Sequence, residues 1–354
     1  MIEYSSPSGR RTRASIVIAP IVLVALIAGY TAYWRWAAGM LDTDVANWIE
    51  QQRAGGVTIT TEAPTTDGFP FSLRISFPKV AVSGVPQLPG ATLTAPLLVG
   101  TARPWAFRQW AIELPRGGAI AMADGAPGPL RDLRTTTAKA DLALGASAPT
   151  GGTAVTLWLA GLDGQLASGP VSVATVELTV VLPRRPPADH SEPSITLSLD
   201  VTKAVLPQPV TPLGVTIDHL GLQGRVMGAI PSGPLAASLG VWRDAGGTVE
   251  LGSTALKWGP LDAAAEGTMA VDGNLQPIGA LTATIRGYTS VLDALISSGQ
   301  LRQNEANFAR MGLALIAQKN ASGESELKAP IRVQNSQIYL GPARLVKLPP
   351  IAWK

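Results

Sequence analysis

The feature that most constrains this chain is a two-residue hydrophobic period, repeated along most of its length. Leu73, Ile75 and Phe77, preceded by Phe71, alternate with Ser72, Arg74 and Ser76. Ala174, Val176, Leu178, Val180 and Leu182 alternate with Thr175, Glu177 and Thr179, and Ile195, Leu197, Leu199 and Val201 with Thr196, Ser198, Asp200 and Thr202. Further on, Leu261, Ala263, Ala265, Met269 and Val271 face away from Asp262, Glu266, Thr268 and Asp272, and Leu281, Ala283 and Ile285 from Thr282, Thr284 and Arg286. Side chains on a strand point alternately to opposite faces, so each run reads as a strand with one apolar and one solvated face. Turns are expected at Gly117-Gly118, Gly151-Gly152, Asp163-Gly164, Gly246-Gly247 and Asp272-Gly273, the last as a hairpin. Pro183–Pro193 reads as an exposed connection between long strands. Helical spacing returns late, at Pro234–Ala245, around Val291–Ile296, and from Leu301 through Phe308, Met311 and Leu315 to near Lys319. Strands then resume at about Leu327–Val333, Gln337–Leu340 and Arg344–Leu348. The fold class expected is mainly β and antiparallel, with two or three late helices.

The N-terminal region follows another rule. Ala14 to Trp34 are 21 consecutive uncharged residues, which as a helix rise about 31 Å, enough for a hydrocarbon core of ~30 Å. Arg10, Arg11 and Arg13 precede the run, while Asp42 and Asp44 follow it. The positive-inside rule therefore keeps the short N-terminus cytoplasmic and the bulk on the far side. Tyr30, Tyr33, Trp34 and Trp36 crowd the exit, where amphipathic rings favour headgroups. A cleaved signal peptide is the competing reading, but the run is longer than the usual ~7–15 residues and no small-residue cleavage site follows it. Ala37, Leu41, Val45, Trp48 and Ile49 continue the helical period until Gly55-Gly56. The expected organisation is a cytoplasmic tail (1–13), a transmembrane helix (14–34), a stalk helix (35–55) and a β-rich body (56–354).

Composition narrows the chemistry. There is no Cys, which excludes disulfides, thiolate metal sites and Cys nucleophiles, and two His leave few general bases. A net charge of +3, partly from the N-terminal arginines, forms no nucleic-acid-binding face. No phosphate-loop, dinucleotide, zinc-protease or nucleophile-elbow motif occurs. His219 adjoins Asp218, but neighbouring strand residues point to opposite faces and cannot cooperate. Asn320-Ala321-Ser322 matches the glycosylation tripeptide. No enzyme activity, metal or cofactor is expected. Trp105 and Phe107, with Trp110 in PWAFRQW, form either an apolar ligand wall or a core plug.

Tyr30–Gly56 followed by DGFPFSLRISF (Asp67–Phe77) resembles the bacterial domain-of-unknown-function 2125 family. Gly259–Leu295 and the ending Leu327–Trp353 are similar to the terminal region of the wider AsmA-like envelope proteins. That resemblance implies a single-pass inner-membrane protein with a periplasmic body. It also implies a long curved antiparallel sheet, a half-pipe or taco, with an apolar concave face, and a link to phospholipid movement. The family brings no catalytic residues to transfer. The groove candidates are Phe71, Leu73, Ile75, Phe77, Trp105, Phe107, Val176, Leu178, Val180, Ile195, Leu197, Leu199, Leu281 and Ile285, with Ala283. The expected function is binding or shuttling of lipid, with phospholipid and other envelope proteins as partners; the alternative is a non-catalytic envelope scaffold. Whether the apolar face is a hollow groove or a filled core stays open at this stage.

Overall fold

The structure, a computed structural model, describes residues 11–86, 88–126, 128–297, 299, 302–303, 310–313, 317–319, 325–340, 343–351 and 353. It opens with helix α1 (Arg11–Ala54), 44 residues without a break and therefore about 66 Å long. The strands follow as β1 (Thr58–Thr60), β2 (Thr65–Asp67), β3 (Leu73–Ser83), β4 (Ala91–Arg103), β5 (Ala106–Leu114), β6 (Gly118–Met122), β7 (Leu130–Leu144), β8 (Thr153–Leu166), β9 (Gly169–Leu182), β10 (Pro193–Val210) and β11 (Gly214–Met227). After α2 (Leu235–Asp244) come β12 (Thr248–Trp258), β13 (Leu261–Val271) and β14 (Pro277–Arg286). The chain continues through α3 (Tyr288–Ser297), β15 (Ala317–Lys319), β16 (Ser325–Gln334), β17 (Gln337–Leu340) and β18 (Ala343–Lys347).

All 18 strands belong to one antiparallel sheet. It grows almost entirely by pairing each strand with the next, from β1 and β2 on the edge of β3 to β18 on the edge of β17. β5 and β6 lie end to end between β4 and β7. Local pairing explains the topology: a strand with one apolar face satisfies its backbone against its nearest chain neighbour, and short Gly turns let it fold back. The Asp272 hairpin shows this, because the Asp272 carboxylate accepts the N–H groups of Asn274 and Gln276, each at 2.8 Å.

Three sequence expectations need correction. Asp163-Gly164 is not a turn but lies inside β8; Gly164 gives room for the neighbouring backbone, since a Cβ there would stand 2.7 Å from the Asp132 carbonyl oxygen. Ala317–Lys319 are a strand, not a helix end, because they pair with Ser325–Leu327. The rest of that expected helix lies largely outside the described residues, although 310–313 are helical. The Asn320 tripeptide also lies outside them. Third, the period-two runs are not continuous, for a reason that spans the sheet.

A crease crosses seven strands. The register aligns Lys79 of β3 with Pro96 of β4, then Thr136, Gly161, Ala174, Lys203 and Asp218 of β7 to β11, and none of these forms a regular bridge. Lys79, Gly161 and Lys203 have φ of +51°, +57° and +50°, the left-handed region that ordinary residues avoid. A single such residue shifts the alternation by one. Apolar residues three apart therefore flank the crease on the same face: Phe77 and Val80, Ala95 and Leu98, Leu159 and Leu162, Val173 and Val176, Val201 and Ala204, Ile217 and Leu220.

Candidate functional site

Residues paired across an antiparallel ladder share a face. One such ladder runs Ile75, Gly100, Ile112, Ala140, Leu157, Leu178, Leu199, Leu222, Thr254, Ala265, Ala283 and Ala329, from β3 to β16. The neighbouring ladders carry Leu73 and Phe77 at one end, Val176, Val180 and Leu197 in the middle, and Leu281 and Ile285 at the far part. Ile195 joins them through its pairing with Val226. Twelve of the candidate residues thus divide into these strand sets plus Phe107, and the register unites all the sets on one face. Among the described residues none of the positions named in these ladders, from Leu73 on β3 to Ala329 on β16, is charged. The ion pairs Lys139–Asp141, Arg225–Glu250 and Arg286–Asp262 all stand on the other face, at 3.6, 2.8 and 3.2 Å.

The uncharged face is concave. Val80 and Val82 of β3 line one cavity of about 290 Å³ together with Leu157, Leu159 and Leu162 of β8, and with Leu93, Leu98, Leu114, Ile120 and Leu133 between them. In a flat sheet β3 and β8 would stand about 19 Å apart, far wider than a cavity of that volume. The sheet must curl around it. A second cavity, of about 440 Å³, lies where α1 roofs these strands, between Val45, Trp48 and Ile49 above and Phe77, Val80, Val82 and Leu98 below. Val80, Val82 and Leu98 line both, so the two spaces adjoin.

The trough is only partly filled. The chain exposes 21,970 Å², whereas a compact monomer of 36.7 kDa exposes about 13,500 Å². α1, whose Ile21, Leu23, Val24 and Leu26 stand exposed, contributes to that excess. Among large side chains, Leu73, Leu327 and Pro104 alone are fully buried among the described residues. Phe77, Val176, Leu178, Val180, Ile195, Leu197, Leu199, Leu281 and Ile285 are half-buried, while Leu73, Ile75 and Ala283 are buried.

Two candidates lie elsewhere. Phe71 is 75% exposed in the turn before β3, and Trp105 is 60% exposed in the turn between β4 and β5. Their alternation with neighbours on paper ends where the strand ends, so neither lines the trough. Phe107 packs beneath α1 with Trp34 and Leu41, against Ala37, Ala38 and Leu73. The two alanines let the helix axis come close to the sheet.

α1 is clamped to the body by its own aromatic residues. Tyr33 donates its hydroxyl to the Pro104 carbonyl at 2.6 Å, the Trp34 indole N–H donates to the Ser72 carbonyl at 2.9 Å, and the Tyr30 hydroxyl donates to the Pro70 carbonyl. Phe69 packs edge-on against Trp34, with ring centroids 5.6 Å apart, and also meets Tyr30. This explains the Gly-Phe-Pro-Phe run, Gly68 to Phe71. Gly68 has φ +102°, and a Cβ there would lie 2.4 Å from the Ser72 hydroxyl; only glycine can turn the chain so that Phe69, Pro70 and Ser72 all reach the helix.

His219 pairs not with Asp218 but with Asp200 on the adjacent strand, at 2.6 Å on the convex face. The Glu62 carboxylate, hydrogen-bonded to Lys79, raises the ammonium above its ordinary pKa. Hydrogen bonds from the Ser191 hydroxyl and backbone N–H hold Asp189 below the usual carboxylate range. Among the described residues no three His, Asp or Glu cluster in a way that would hold a metal ion.

The sequence reading missed much of the trough wall, including Val80, Val82, Leu98, Leu157, Leu159 and Leu162. The signal was present as the three-residue apolar spacing at the crease, which breaks a strict period of two.

Comparison with known proteins finds no match among curated proteins and none among solved structures. A family model described as "Uncharacterized protein conserved in bacteria (DUF2125)" matches residues 34–349, from Trp34 on α1 to the last strand and the tail beyond it. The chain belongs to this bacterial family.

Proposed function

We propose that this protein is a non-catalytic, membrane-anchored envelope protein whose trough holds the acyl chains of a lipid, with α1 as a single-pass inner-membrane anchor and the sheet in the periplasm. The observation that carries the reading is the continuous uncharged concave face left half-exposed. An apolar trough in water lowers its free energy by covering itself, and about 0.8 kcal/mol accompanies each methylene taken out of water. Ten enclosed methylenes would contribute about 8 kcal/mol, and fewer in an open trough proportionately less.

The anchor is supported by length, by composition and by packing. The described part of α1 has one stretch long and apolar enough to cross a bilayer. The body is hydrogen-bonded to Tyr33 and Trp34 and packed on Ala37 and Ala38. Cleavage just after the apolar run would sever the helix where it holds β3, which favours an uncleaved anchor over a signal peptide. Arginines before the run orient the N-terminus to the cytoplasm.

The full-length protein would be extracted with its surrounding lipid, washed in mild detergent and submitted to native mass spectrometry. Phospholipid held near one to one after washing is expected. A lipid-free protein that also takes up no fluorescent fatty acid would remove this function. A second reading rests on the outer side of β18, which pairs with no strand among the described residues; a free edge can add a strand from another envelope protein. Crosslinking from β18 in cells would then give one dominant protein adduct, and washed protein would carry no lipid.

A further inference from the structure

The turns at one end of the sheet carry exposed aromatic rings. We infer that Phe69, Phe71 and Trp105 form an aromatic rim that inserts into the outer leaflet of the membrane that α1 crosses, so that the mouth of the trough opens onto that leaflet. The inference rests on the proposed anchor and goes beyond it.

Two independent observations meet here. The first is depth. An apolar run from Ala14 to Trp34 rises about 31 Å and therefore ends at the outer boundary of a ~30 Å hydrocarbon core. The body does not hang from a linker beyond that boundary. It is hydrogen-bonded to the last turn of the run itself, through Pro70, Ser72 and Pro104. The β2–β3 and β4–β5 turns are consequently held at headgroup level, whatever the tilt of the rest of the sheet.

The second is the character of those turns. Phe69, Phe71 and Trp105 are 50%, 75% and 60% exposed, on turns where water would favour small polar residues. Tyr33 and Trp36 stand exposed beside them on α1. Exposed aromatic rings at this level match the interfacial belt of membrane proteins, and the exposed Arg103 next to the second turn suits anionic headgroups. The turns at the opposite end of the sheet are different: the exposed apolar residues Leu88, Val210 and Val215 are aliphatic, and the one exposed ring at that level among the described residues, Trp48, stands on α1 against Val82, Val85 and Pro86 and not on a turn.

Such a rim would let an acyl chain pass from the leaflet, beside the core of Leu73, Ala37 and Ala38, to the half-buried wall around Phe77 and Leu157 without crossing water. It also fixes which end of the trough loads.

The chain has no Cys, so each single substitution can be labelled uniquely. Leu26→Cys, Phe71→Cys, Trp105→Cys and Val210→Cys would each be made in the full-length protein and labelled with an environment-sensitive fluorophore. Each would then be reconstituted into phosphatidylethanolamine–phosphatidylglycerol vesicles, with or without spin-labelled lipid. Phe71 and Trp105 are mostly exposed, so neither change disturbs packing. The expected result is strong quenching by spin-labelled lipid and several-fold protection from aqueous iodide at 26, 71 and 105, with the reverse at 210. Lipid contact at 26 with iodide access at 71 and 105 equal to that at 210 would overturn the rim and leave the anchor standing. No lipid contact at 26 would overturn both. Probes at 71 and 105 shielded from iodide yet unquenched by lipid would mean that a protein covers the rim, which also overturns the inference.

Discussion

Leu157→Asp separates a hollow trough from a sealed core. Leu157 is half-buried on the concave face between Ala140 and Leu178, and its side chain lines the cavity enclosed by β3 to β8. In a sealed core the new carboxylate would be unpaired and dry, at a cost of many kcal/mol, comparable to the whole ~5–15 kcal/mol stability of a domain. In an open trough water reaches the carboxylate. The folding cost is then the lost burial of half a leucine, about 1 kcal/mol, or roughly 1–2 °C in melting temperature for a chain of this size. Binding suffers more. A charge beside an acyl chain keeps roughly four methylenes from the wall, which at ~0.8 kcal/mol each is about 3 kcal/mol and about a hundredfold in affinity. The purified variant should melt cooperatively within a few degrees of the parent while its co-purified phospholipid, measured by mass spectrometry, falls to background. Loss of cooperative melting would refute the hollow trough, and unchanged lipid content would refute acyl binding there.

Leu73→Ala removes a fully buried side chain beneath Ala37 and Ala38 and should cost about 3 kcal/mol in denaturant unfolding, with α1 becoming protease-sensitive near its contact. Gly161→Val places a β-branched residue at φ +57° with its Cβ 2.5 Å from the Thr136 hydroxyl; the conformation alone costs about 1–2 kcal/mol, so the denaturation midpoint should fall clearly. Lys203→Gly, at φ +50° on the same crease, should melt no lower than the parent. Trp242→Phe removes the indole N–H that donates to the Met227 carbonyl at 2.7 Å, and leaving that buried oxygen unpaired should cost about 1–3 kcal/mol, read by thermal melting.

How far the structure was legible differs from element to element. Around Ile195 to Val201 and Leu281 to Ile285 the alternation is regular, and those strands stand where the residues indicated. The hairpin at Asp272 and the helices α2 and α3 were equally legible, because an Asx turn and an i, i+4 apolar spacing are local properties. Phe71 and Trp105 were misplaced for the opposite reason. Nothing in their own alternation tells where a strand ends and a clamp on a distant helix begins; Pro70 and Pro104 are fixed by Tyr30 and Tyr33, some 40 and 71 positions away. The crease lay between. Its three-residue spacings are visible in each strand, but their alignment into one line appears only after the strands pair.

By itself the sequence determined where the most regular strands lie, that each has one apolar face, and that a bilayer-length helix leads into them. Period, turn chemistry and hydropathy are local, and antiparallel neighbours in the chain pair with little competition. Tertiary structure alone decided that all those faces point the same way and that much of the shared face is left half-exposed. Curling the sheet depends on the residues at the crease adopting left-handed backbone in register across several strands. How much of the trough is filled depends on how far Val80 stands from Leu157 once it has curled, a distance set by every ladder between them.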